Sequence, residues 1–292
     1  MTTDPVRPWR SVLYVPGSND RAIAKMTSLE ADAFILDLED SVAPGEKVRA
    51  RGNVARVLEG ARPDGRTRIV RINGLDTDWG RADLDAIAGA GAEAILLPKV
   101  ERVEQVTALS DLLDAGPCTA ATRIWAMMES AGAQFGAAEV AKAPRMAGLV
   151  IGTNDLAAEL GCEDGGDRMP MMTALQTCLA AARAAGIVCL DGVYNGFRDA
   201  DGLLTECRQG KRLGMDGKTV IHPAQIPVAN EVFAPGAAEI AAARRTIDAW
   251  GAAEREGRGV AVLDGRIVEA LHVRAARLIL ARADAAGKAT TV

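Results

Sequence analysis

Three carboxylates stand together where an apolar run of the sequence ends. Asp37, Glu39 and Asp40 directly follow the run Phe34-Ile35-Leu36. Carboxylates placed so closely at the end of a buried strand repel one another, and burial makes each of them harder to ionise. The arrangement therefore predicts either a bound cation or acid–base chemistry at this point of the chain.

Two further acids also follow apolar runs. Glu129 comes after "WAMM" and Asp155 comes after "LVIGTN", while the chain has only 2 histidines. Carboxylates without histidines suit a hard cation such as Mg²⁺, which takes one or two protein carboxylates and keeps several waters. We predict that Glu129 and Asp155 bind Mg²⁺ and that the three earlier acids hold waters on the ion. The alternative is that these acids are helix N-caps or members of surface ion pairs.

Basic residues are predicted to face the acids. Arg71 follows the apolar run "RIV", and its planar fork suits the carboxylate of a substrate. An ion pair between Arg71 and the nearby acids is compatible with that role. Lys99 could form a Schiff base, but an ion pair that tethers an acid is favoured. His222 is interpreted as a structural residue of a turn.

A second set of basic residues flanks the stretch "VPGSNDRAIAKM", which predicts a glycine-containing turn into a helix. The residues are Arg10, Arg21 and Lys25. Such a turn can receive phosphates at the helix start. The stretch is neither a Walker loop nor a G-x-G-x-x-G motif, and solvated surface charge is the alternative interpretation.

These polar residues follow eight short apolar runs separated by alanine-rich helical patterns. The predicted strands are 11–17, 33–40, 68–74, 92–100, 123–130, 147–155, 187–194 and 217–223. Strands that alternate with helices predict an α/β fold with a parallel sheet closed into a (β/α)8 TIM barrel. The active site of such a barrel lies at the carboxyl ends of the strands, where these polar residues fall. An open, doubly wound sheet is the alternative.

The pattern changes after residue 230. Residues 231–292 predict a long helix, a small hairpin with Asp264-Gly265 at its turn, and a last amphipathic helix. This C-terminal helix-hairpin-helix extension is too small for an independent core, so we expect it to pack on the barrel or on a neighbouring subunit. The predicted division is a barrel over 1–230 and an extension over 231–292.

Composition excludes several classes of protein. The chain has 292 residues, 49% of them hydrophobic, a net charge of −5 and 3% aromatic residues. Nucleic acid binding is not expected, because it needs a basic footprint. The sequence has neither a membrane-span run nor a signal-peptide pattern, so a cytoplasmic protein is predicted. The 5 scattered cysteines favour neither disulfides nor a zinc site.

Taken together, the motifs resemble those of the HpcH/HpaI aldolase and citrate lyase β-subunit family, in particular its acyl-CoA lyase branch. The phrases that carry the resemblance are "RSVLYVPGSNDRAIAKM", "DAFILDLEDSVAPGEKVRAR", "RIVRING", "GAEAILLPKVE", "IWAMMESAGA", "GLVIGTNDLAAELG" and "DGKTVIHPAQI". They occur in the family's order over residues 10 to 235. The resemblance implies a TIM barrel that assembles as a trimer or hexamer.

The resemblance also implies roles for individual residues. Glu129 and Asp155 match the metal ligands, and Arg71 matches the arginine that binds the carboxylate of a 2-oxo acid. The remaining matches are Glu39 and Asp40 around the metal waters, and Arg10, Arg21 and Lys25 near the phosphates of coenzyme A.

One stretch departs from the family pattern. Many lyases of this branch carry an Asp in the C-terminal hairpin that enters the site of the neighbouring subunit as acid/base. The stretch here is "DGRIVEALHV", so Glu269 stands at that place and Leu271 replaces a proline. Glu269 is a candidate acid/base, and a hairpin-end salt bridge is the alternative. The change is compatible with altered positioning, another substrate or a thioesterase variant.

The implied activity is Mg²⁺-dependent carbon–carbon cleavage of a 3-hydroxy-dicarboxyl-CoA thioester into an acyl-CoA and a 2-oxo acid. Malyl-CoA, citramalyl-CoA and citryl-CoA are such substrates. The first alternative is a malyl-CoA-type thioesterase that uses the same site. The second is a non-catalytic CoA-binding subunit. A free 2-oxo acid aldolase is disfavoured, because that subgroup uses a histidine where this sequence has only acids.

Overall fold

In the described part of the chain, eight parallel strands close into a barrel in their order of sequence. The computed structural model describes residues 7–60, 65–116, 121–163 and 165–287. The barrel strands are β1 (Ser11–Pro16), β2 (Ala33–Asp37), β3 (Thr67–Arg71), β4 (Ala94–Leu97), β5 (Arg123–Met128), β6 (Met146–Ile151), β7 (Val188–Asp191) and β8 (Gly217–Val220). Because β1 pairs with both β2 and β8, the sheet has no edge. The predicted (β/α)8 barrel is confirmed, and the open sheet is wrong.

The observed strands end earlier than the sequence predicted. Each of the eight predicted runs extends one to four residues beyond the carboxyl end of the strand. The run 33–40, for example, contains a strand that ends at Asp37. The extra residues, apolar as well as polar, belong to the connecting loops or to the start of the next helix. The pattern therefore predicted the position of each strand but not the point where its ladder stops.

Helices cover the outside of the barrel and follow the predicted pattern. They are α1 (Asp20–Lys25), α2 (Lys47–Glu59), α3 (Gly80–Gly89), α4 (Val103–Ala115), α5 (Ala133–Val140), α6 (Thr153–Leu160), α7 (Met172–Ala185), α8 (Ala200–Leu213) and α9 (Ile226–Phe233). Helices α7 and α8 end at Gly186 and Gly214, both with positive φ (72° and 105°). Glycine adopts this left-handed conformation without a steric penalty, which explains the predicted helix stops.

The barrel interior holds every second residue of its strands. Val12, Ile35, Ile69, Leu96 and Trp125 belong to one buried cluster. The strands are apolar on their other face as well, because the helices cover it, and a strand buried on both faces reads as a continuous apolar run. The alternation inside the barrel continues to the carboxyl ends, where polar side chains replace apolar ones.

The chain after Asn230 forms a second compact unit. It contains α10 (Ala237–Arg255), an antiparallel hairpin of β9 (Ala261–Leu263) and β10 (Arg266–Val268), and α11 (Ala270–Ala285). Ala253, Ala261, Val268 and Val273 form a small buried cluster within this unit. The sequence predicted the order helix, hairpin and helix. It did not predict that this unit has a buried apolar cluster of its own.

The described residues carry no helix that combines the length and the apolar character needed to span a membrane. Cys178, Cys189 and Cys207 are buried free thiols, and Cys162 is partly buried. Cys118 lies outside the described residues.

Substitution of Gly217 by alanine should destabilise the barrel strongly. A Cβ atom at this position in β8 would lie 1.7 Å from the carbonyl oxygen of Trp9, which is backbone and cannot rotate away. Overpacking of this kind costs about 3 kcal/mol of unfolding free energy. The measurement is urea unfolding. Gly52→Ala in α2 is the control: a Cβ there meets nothing within 4 Å, so it should stabilise the protein by about 0.5–1 kcal/mol. Equal unfolding midpoints for the two variants would contradict this packing.

Candidate active site

Asp37 and Arg71 form a buried ion pair at the mouth of the barrel. They are register partners at the ends of β2 and β3. Nε and Nη2 of Arg71 donate to Oδ1 and Oδ2 of Asp37, each at 2.7 Å. Burial alone would raise the pKa of Asp37, but the guanidinium outweighs burial and holds the pKa below its ordinary value. Both oxygens of Asp37 are thus bound to Arg71, and its role in holding waters on a metal ion stays a prediction.

Arg71 also contacts the two acids that follow Asp37. Its Nη1 lies 2.9 Å from Oε2 of Glu39 and 3.9 Å from Oδ2 of Asp40. Burial raises the pKa of Glu39 to about 7, and the neighbouring charge of Asp40 adds to this effect while Arg71 opposes it. The repulsion among the three clustered acids is thus offset in part by an arginine beside them.

Lys47 holds the loop that carries these acids. It projects from the start of α2 and its side chain is buried. Its ammonium donates to the carbonyls of Leu38 and Glu39 and to Oδ1 of Asn73, each at 2.8 Å. Three neutral acceptors satisfy the three donors of the ammonium. Lys47 therefore fixes the backbone of the acidic loop and adds positive charge next to it.

Glu129 is positioned by the backbone of Lys99. Lys99 has a positive φ of 52°, which is uncommon for a residue other than glycine. Its N–H donates to Oε1 of Glu129 at 2.8 Å. Its ammonium lies 3.9 Å from Oε1 of Glu39, which agrees with the predicted tether between Lys99 and an acid. One oxygen of Glu129 is thus fixed by an amide.

The other oxygen of Glu129 faces the end of β6. A Cβ on Gly152 would lie 2.3 Å from Cβ and 2.8 Å from Oε2 of Glu129, so only a glycine allows this approach. Asp155 lies in the first turn of α6, immediately beyond Gly152. The pKa of Glu129 is raised to about 7. Burial is the main cause, the charges of Glu39 and Asp155 add to it, and the Lys99 amide and Arg71 oppose it. Glu129 and Asp155 are therefore near enough for their charges to interact.

The acids at this mouth fit a divalent cation. The five carboxylates are Asp37, Glu39, Asp40, Glu129 and Asp155, and the three cations near them are Lys47, Arg71 and Lys99. Since the pKa values of Glu39 and Glu129 are raised to about 7, a divalent cation beside them would favour their ionised forms. Within the described ranges, no group of three acidic, histidine or cysteine side chains could hold a metal. A pair of carboxylates is sufficient for Mg²⁺, because this ion keeps several waters.

A cavity of about 920 Å³ opens beside the acids. Its wall includes Glu39, Asp40 and Lys99 and continues to Lys47 and Trp79. A cavity of this size falls within the range that accommodates small-molecule ligands. Glu39, Asp40, Lys47 and Lys99 therefore border a space that a substrate could enter. Arg71, Glu129 and Asp155 are not part of its wall.

The predicted phosphate contacts divide into two sets. Arg10 precedes β1, so it lies at the amino end of the barrel, away from the site. There Nη2 and Nε of Arg10 donate to Asp32 at 2.7 and 2.9 Å. Its assignment to coenzyme A phosphates does not fit this position. Arg21 and Lys25 lie on α1, after the carboxyl end of β1, and are exposed.

Glu269 belongs to the second unit. It is exposed, immediately precedes α11, and its N–H donates to Nδ1 of His272 at 3.0 Å. His222, at the end of β8, accepts the N–H of Ala224 through Nδ1 and stacks on Phe197 with ring centroids 4.9 Å apart. The observed contacts of His222 are those of a turn residue.

The sequence predicted one common location, the mouth of the barrel, for several polar residues, and the structure places them there. They are Glu39, Asp40, Arg71, Glu129 and Asp155. Sequence reasoning missed three further residues of this region, which are Tyr14, Lys47 and Met127. Tyr14 and Met127 could have been found from the period of two along β1 and β5, because Val12 and Trp125 face the interior. Lys47 gave no signal, because its position depends on the loop between β2 and α2.

Known proteins share this architecture and align over most of this sequence. Residues 10–223 match the HpcH/HpaI aldolase/citrate lyase family. A (3S)-malyl-CoA thioesterase from Cereibacter sphaeroides is 54% identical, over 95% of both chains. An L-malyl-CoA/beta-methylmalyl-CoA lyase from the same species is 34% identical, over 96% of both. The structure of CitE from Mycobacterium tuberculosis in complex with magnesium, acetoacetate and coenzyme A has a TM-score of 0.78 and 33% identity, over 94% of this chain and 97% of that one. The chain therefore belongs to the HpcH/HpaI aldolase/citrate lyase family.

Proposed function

We propose that the protein hydrolyses the thioester of a 3-hydroxy-dicarboxyl-CoA of the malyl-CoA type in a Mg²⁺-dependent reaction. The observation that carries this proposal is the 54% identity to a (3S)-malyl-CoA thioesterase over 95% of both chains. The sequence motifs alone favoured the lyase and left the thioesterase as the alternative. The similarity to the thioesterase reverses that order, and both reactions would use the same site.

Glu129 and Asp155 are proposed to hold the ion. Oε1 of Glu129 is fixed by an amide and Oε2 faces the β6 end, so the carboxylate is oriented before a ligand arrives. Bound Mg²⁺ would supply Lewis-acid polarisation of substrate oxygens. The CitE relative, solved with magnesium, supports this choice of ion.

Arg71 and Glu39 are proposed to act on the substrate and on water. Arg71 supplies positive charge for the free carboxylate of the malyl group. Glu39 is 7% exposed, and its pKa of about 7 suits a general base at neutral pH. Glu39 would take a proton from the attacking water as the new C–O bond forms. The C–S bond then breaks, and the proton passes to the departing thiolate of coenzyme A. Asp40 would keep the charge of this region negative and help to orient that water.

Coenzyme A is proposed to lie toward β1 and α1. Arg21 and Lys25 are exposed there, and the described residues offer neither of them an ion pair, so both are available to phosphates. The complex of CitE with coenzyme A supports a coenzyme A thioester as the substrate. We also propose a homo-oligomer, a trimer or hexamer, in which Glu269 of one subunit serves as acid/base for another. The exposed apolar side chains Val262, Ile267 and Leu271 near Glu269 support a contact surface there.

Carbon–carbon cleavage is the second candidate. The 34% identity to a malyl-CoA/methylmalyl-CoA lyase over 96% of both chains favours it. In that reaction a base would take the proton of the substrate hydroxyl, which becomes the carbonyl of the 2-oxo acid as the bond to the thioester α-carbon breaks. The acyl-CoA enolate that leaves would then take up a proton. Glu39 is suitably placed for either proton transfer, so the products must distinguish the two reactions.

We expect the wild-type protein, in the presence of Mg²⁺, to convert malyl-CoA and water into free coenzyme A and malate. The measurement is the parallel determination of free thiol, acetyl-CoA and glyoxylate, with an EDTA-treated sample as control. Acetyl-CoA and glyoxylate in equal amounts, without free thiol, would contradict hydrolysis and support the lyase. Retained coenzyme A binding without consumption of malyl-CoA would support a non-catalytic subunit.

A further inference from the structure

The floor of the barrel mouth contains a phenol that the proposed mechanism does not use. Tyr14 lies near the carboxyl end of β1 and is the register partner of Ile35 in β2. It packs against the interior cluster that contains Val12 and Met127, and it is only partly buried. Its side chain therefore lies inside the barrel, at the level where the apolar interior meets the polar mouth.

Two hydrogen-bond donors converge at this level on one weak acceptor. The hydroxyl of Tyr14 lies 3.8 Å from Sδ of Met127, and Nη1 of Arg71 lies 3.7 Å from the same sulfur. The Cζ of Arg71 is 5.0 Å from the centroid of the Tyr14 ring, so the two side chains stack. A thioether accepts hydrogen bonds poorly. The two donors thus point to a place where an oxygen would be bound better than the sulfur.

The other partners of Tyr14 and Arg71 do not occupy the position between their two donors, where the Met127 sulfur lies. Asp37 binds Nε and Nη2 of Arg71, and Glu39 contacts its Nη1. Among the described residues, the Tyr14 hydroxyl has no oxygen or nitrogen acceptor, and Met127 is its one recorded contact. Burial raises the pKa of Tyr14, so the hydroxyl keeps its proton at neutral pH. It remains a neutral donor beside a guanidinium.

The charge around this place selects the ligand. Arg71 and Tyr14 are the positive and neutral donors on the floor. Methionine is flexible, so its sulfur can move aside for an incoming oxygen. An incoming carboxylate would therefore meet one charged and one neutral donor at this point.

We propose that Tyr14 is a substrate-binding residue whose hydroxyl, together with Nη1 of Arg71, binds the free carboxylate of the malyl group in place of the Met127 sulfur. This inference rests on the proposed function and adds a specificity determinant to it. Tyr14 would distinguish a substrate with a carboxylate at this position from one with a methyl group.

Tyr14→Phe tests this role, because the phenylalanine keeps the ring against Arg71 and removes only the hydroxyl. Tyr194→Phe is the matched control: it is the other of the 2 tyrosines, and its hydroxyl donates to Asp199 at 2.6 Å. The readouts are kcat/KM for malyl-CoA consumption and the inhibition constant of 3-hydroxybutyryl-CoA, which carries a methyl group in place of the carboxylate. A hydrogen bond to a charged group corresponds to a loss of about tenfold or more in kcat/KM.

We expect kcat/KM for malyl-CoA to fall at least about tenfold in Tyr14→Phe, with the inhibition constant of the methyl analogue changed less than about twofold. Tyr194→Phe should leave both unchanged. An unaltered kcat/KM in Tyr14→Phe, or equal weakening of both ligands, would overturn this inference while the proposed function stands. A wild-type protein that does not consume malyl-CoA would overturn the proposed function and this inference together.

Discussion

Replacement of Glu129 by glutamine should reduce Mg²⁺-dependent consumption of malyl-CoA at least about a hundredfold. Glutamine keeps the shape of the side chain and can still accept the N–H of Lys99, which lies 2.8 Å from Oε1 in the wild type. It lacks the negative charge that would hold the ion next to Asp155. Because burial and neighbouring acids already raise the pKa of Glu129 to about 7, the neutral side chain should be well tolerated by the fold.

The control for this variant is Glu139→Gln, which makes the same chemical change at an exposed position on α5. Steady-state rates are measured over a range of Mg²⁺ concentrations. Glu129→Gln should stay inactive at every Mg²⁺ concentration, and its melting temperature should be close to that of the wild type. Glu139→Gln should behave as the wild type in both measurements. Full activity of Glu129→Gln at ordinary Mg²⁺ concentrations would show that the ion lies elsewhere or is not needed.

Replacement of Arg71 by methionine should abolish activity and destabilise the protein by about 3–5 kcal/mol. The reason is the wholly buried Asp37, which would lose both hydrogen bonds from the guanidinium and keep an uncompensated charge. Urea unfolding at pH 7 measures the stability. In the double variant Asp37→Asn with Arg71→Met both charges are gone, so it should recover more than half of the lost stability and remain inactive.

The matched control is Arg81→Met. Arg81 pairs with Asp85 one helical turn away, with both side chains more than half exposed. Exposed pairs of this type contribute about 0–1 kcal/mol, so this variant should unfold close to wild type. A loss of stability in Arg71→Met no larger than that in Arg81→Met would show that the Asp37 pair does not stabilise the mouth of the barrel.

The sequence predicted the barrel because local patterns determine most of it. Apolar runs buried on both faces, separated by helices that stop at glycines such as Gly186 and Gly214, specify where the strands lie and that they run parallel. The site followed from the same pattern, since Glu39, Arg71, Glu129 and Asp155 all stand just beyond an apolar run. Position along the chain was therefore enough to place these side chains at one mouth.

The parts that sequence reasoning missed depend on register and on loops. The pairing of Asp37 with Arg71 requires that β2 and β3 align these two positions, which a sequence pattern does not give. Arg10 stands before β1, and a residue before a strand lies at the opposite end from the site. Lys47 and the positive φ of Lys99 arise from loop conformations that local sequence does not specify.

The proposed activity depends most on one arrangement, in which Glu129 and Asp155 hold a single divalent cation between β5 and α6. Anomalous diffraction from crystals soaked in Mn²⁺, a stand-in for Mg²⁺, tests it directly. We predict one peak per chain, within bonding distance of Oε2 of Glu129 and of an Asp155 oxygen. An ion bound only elsewhere, or Glu129 and Asp155 side chains that point apart with no peak between them, would contradict the account.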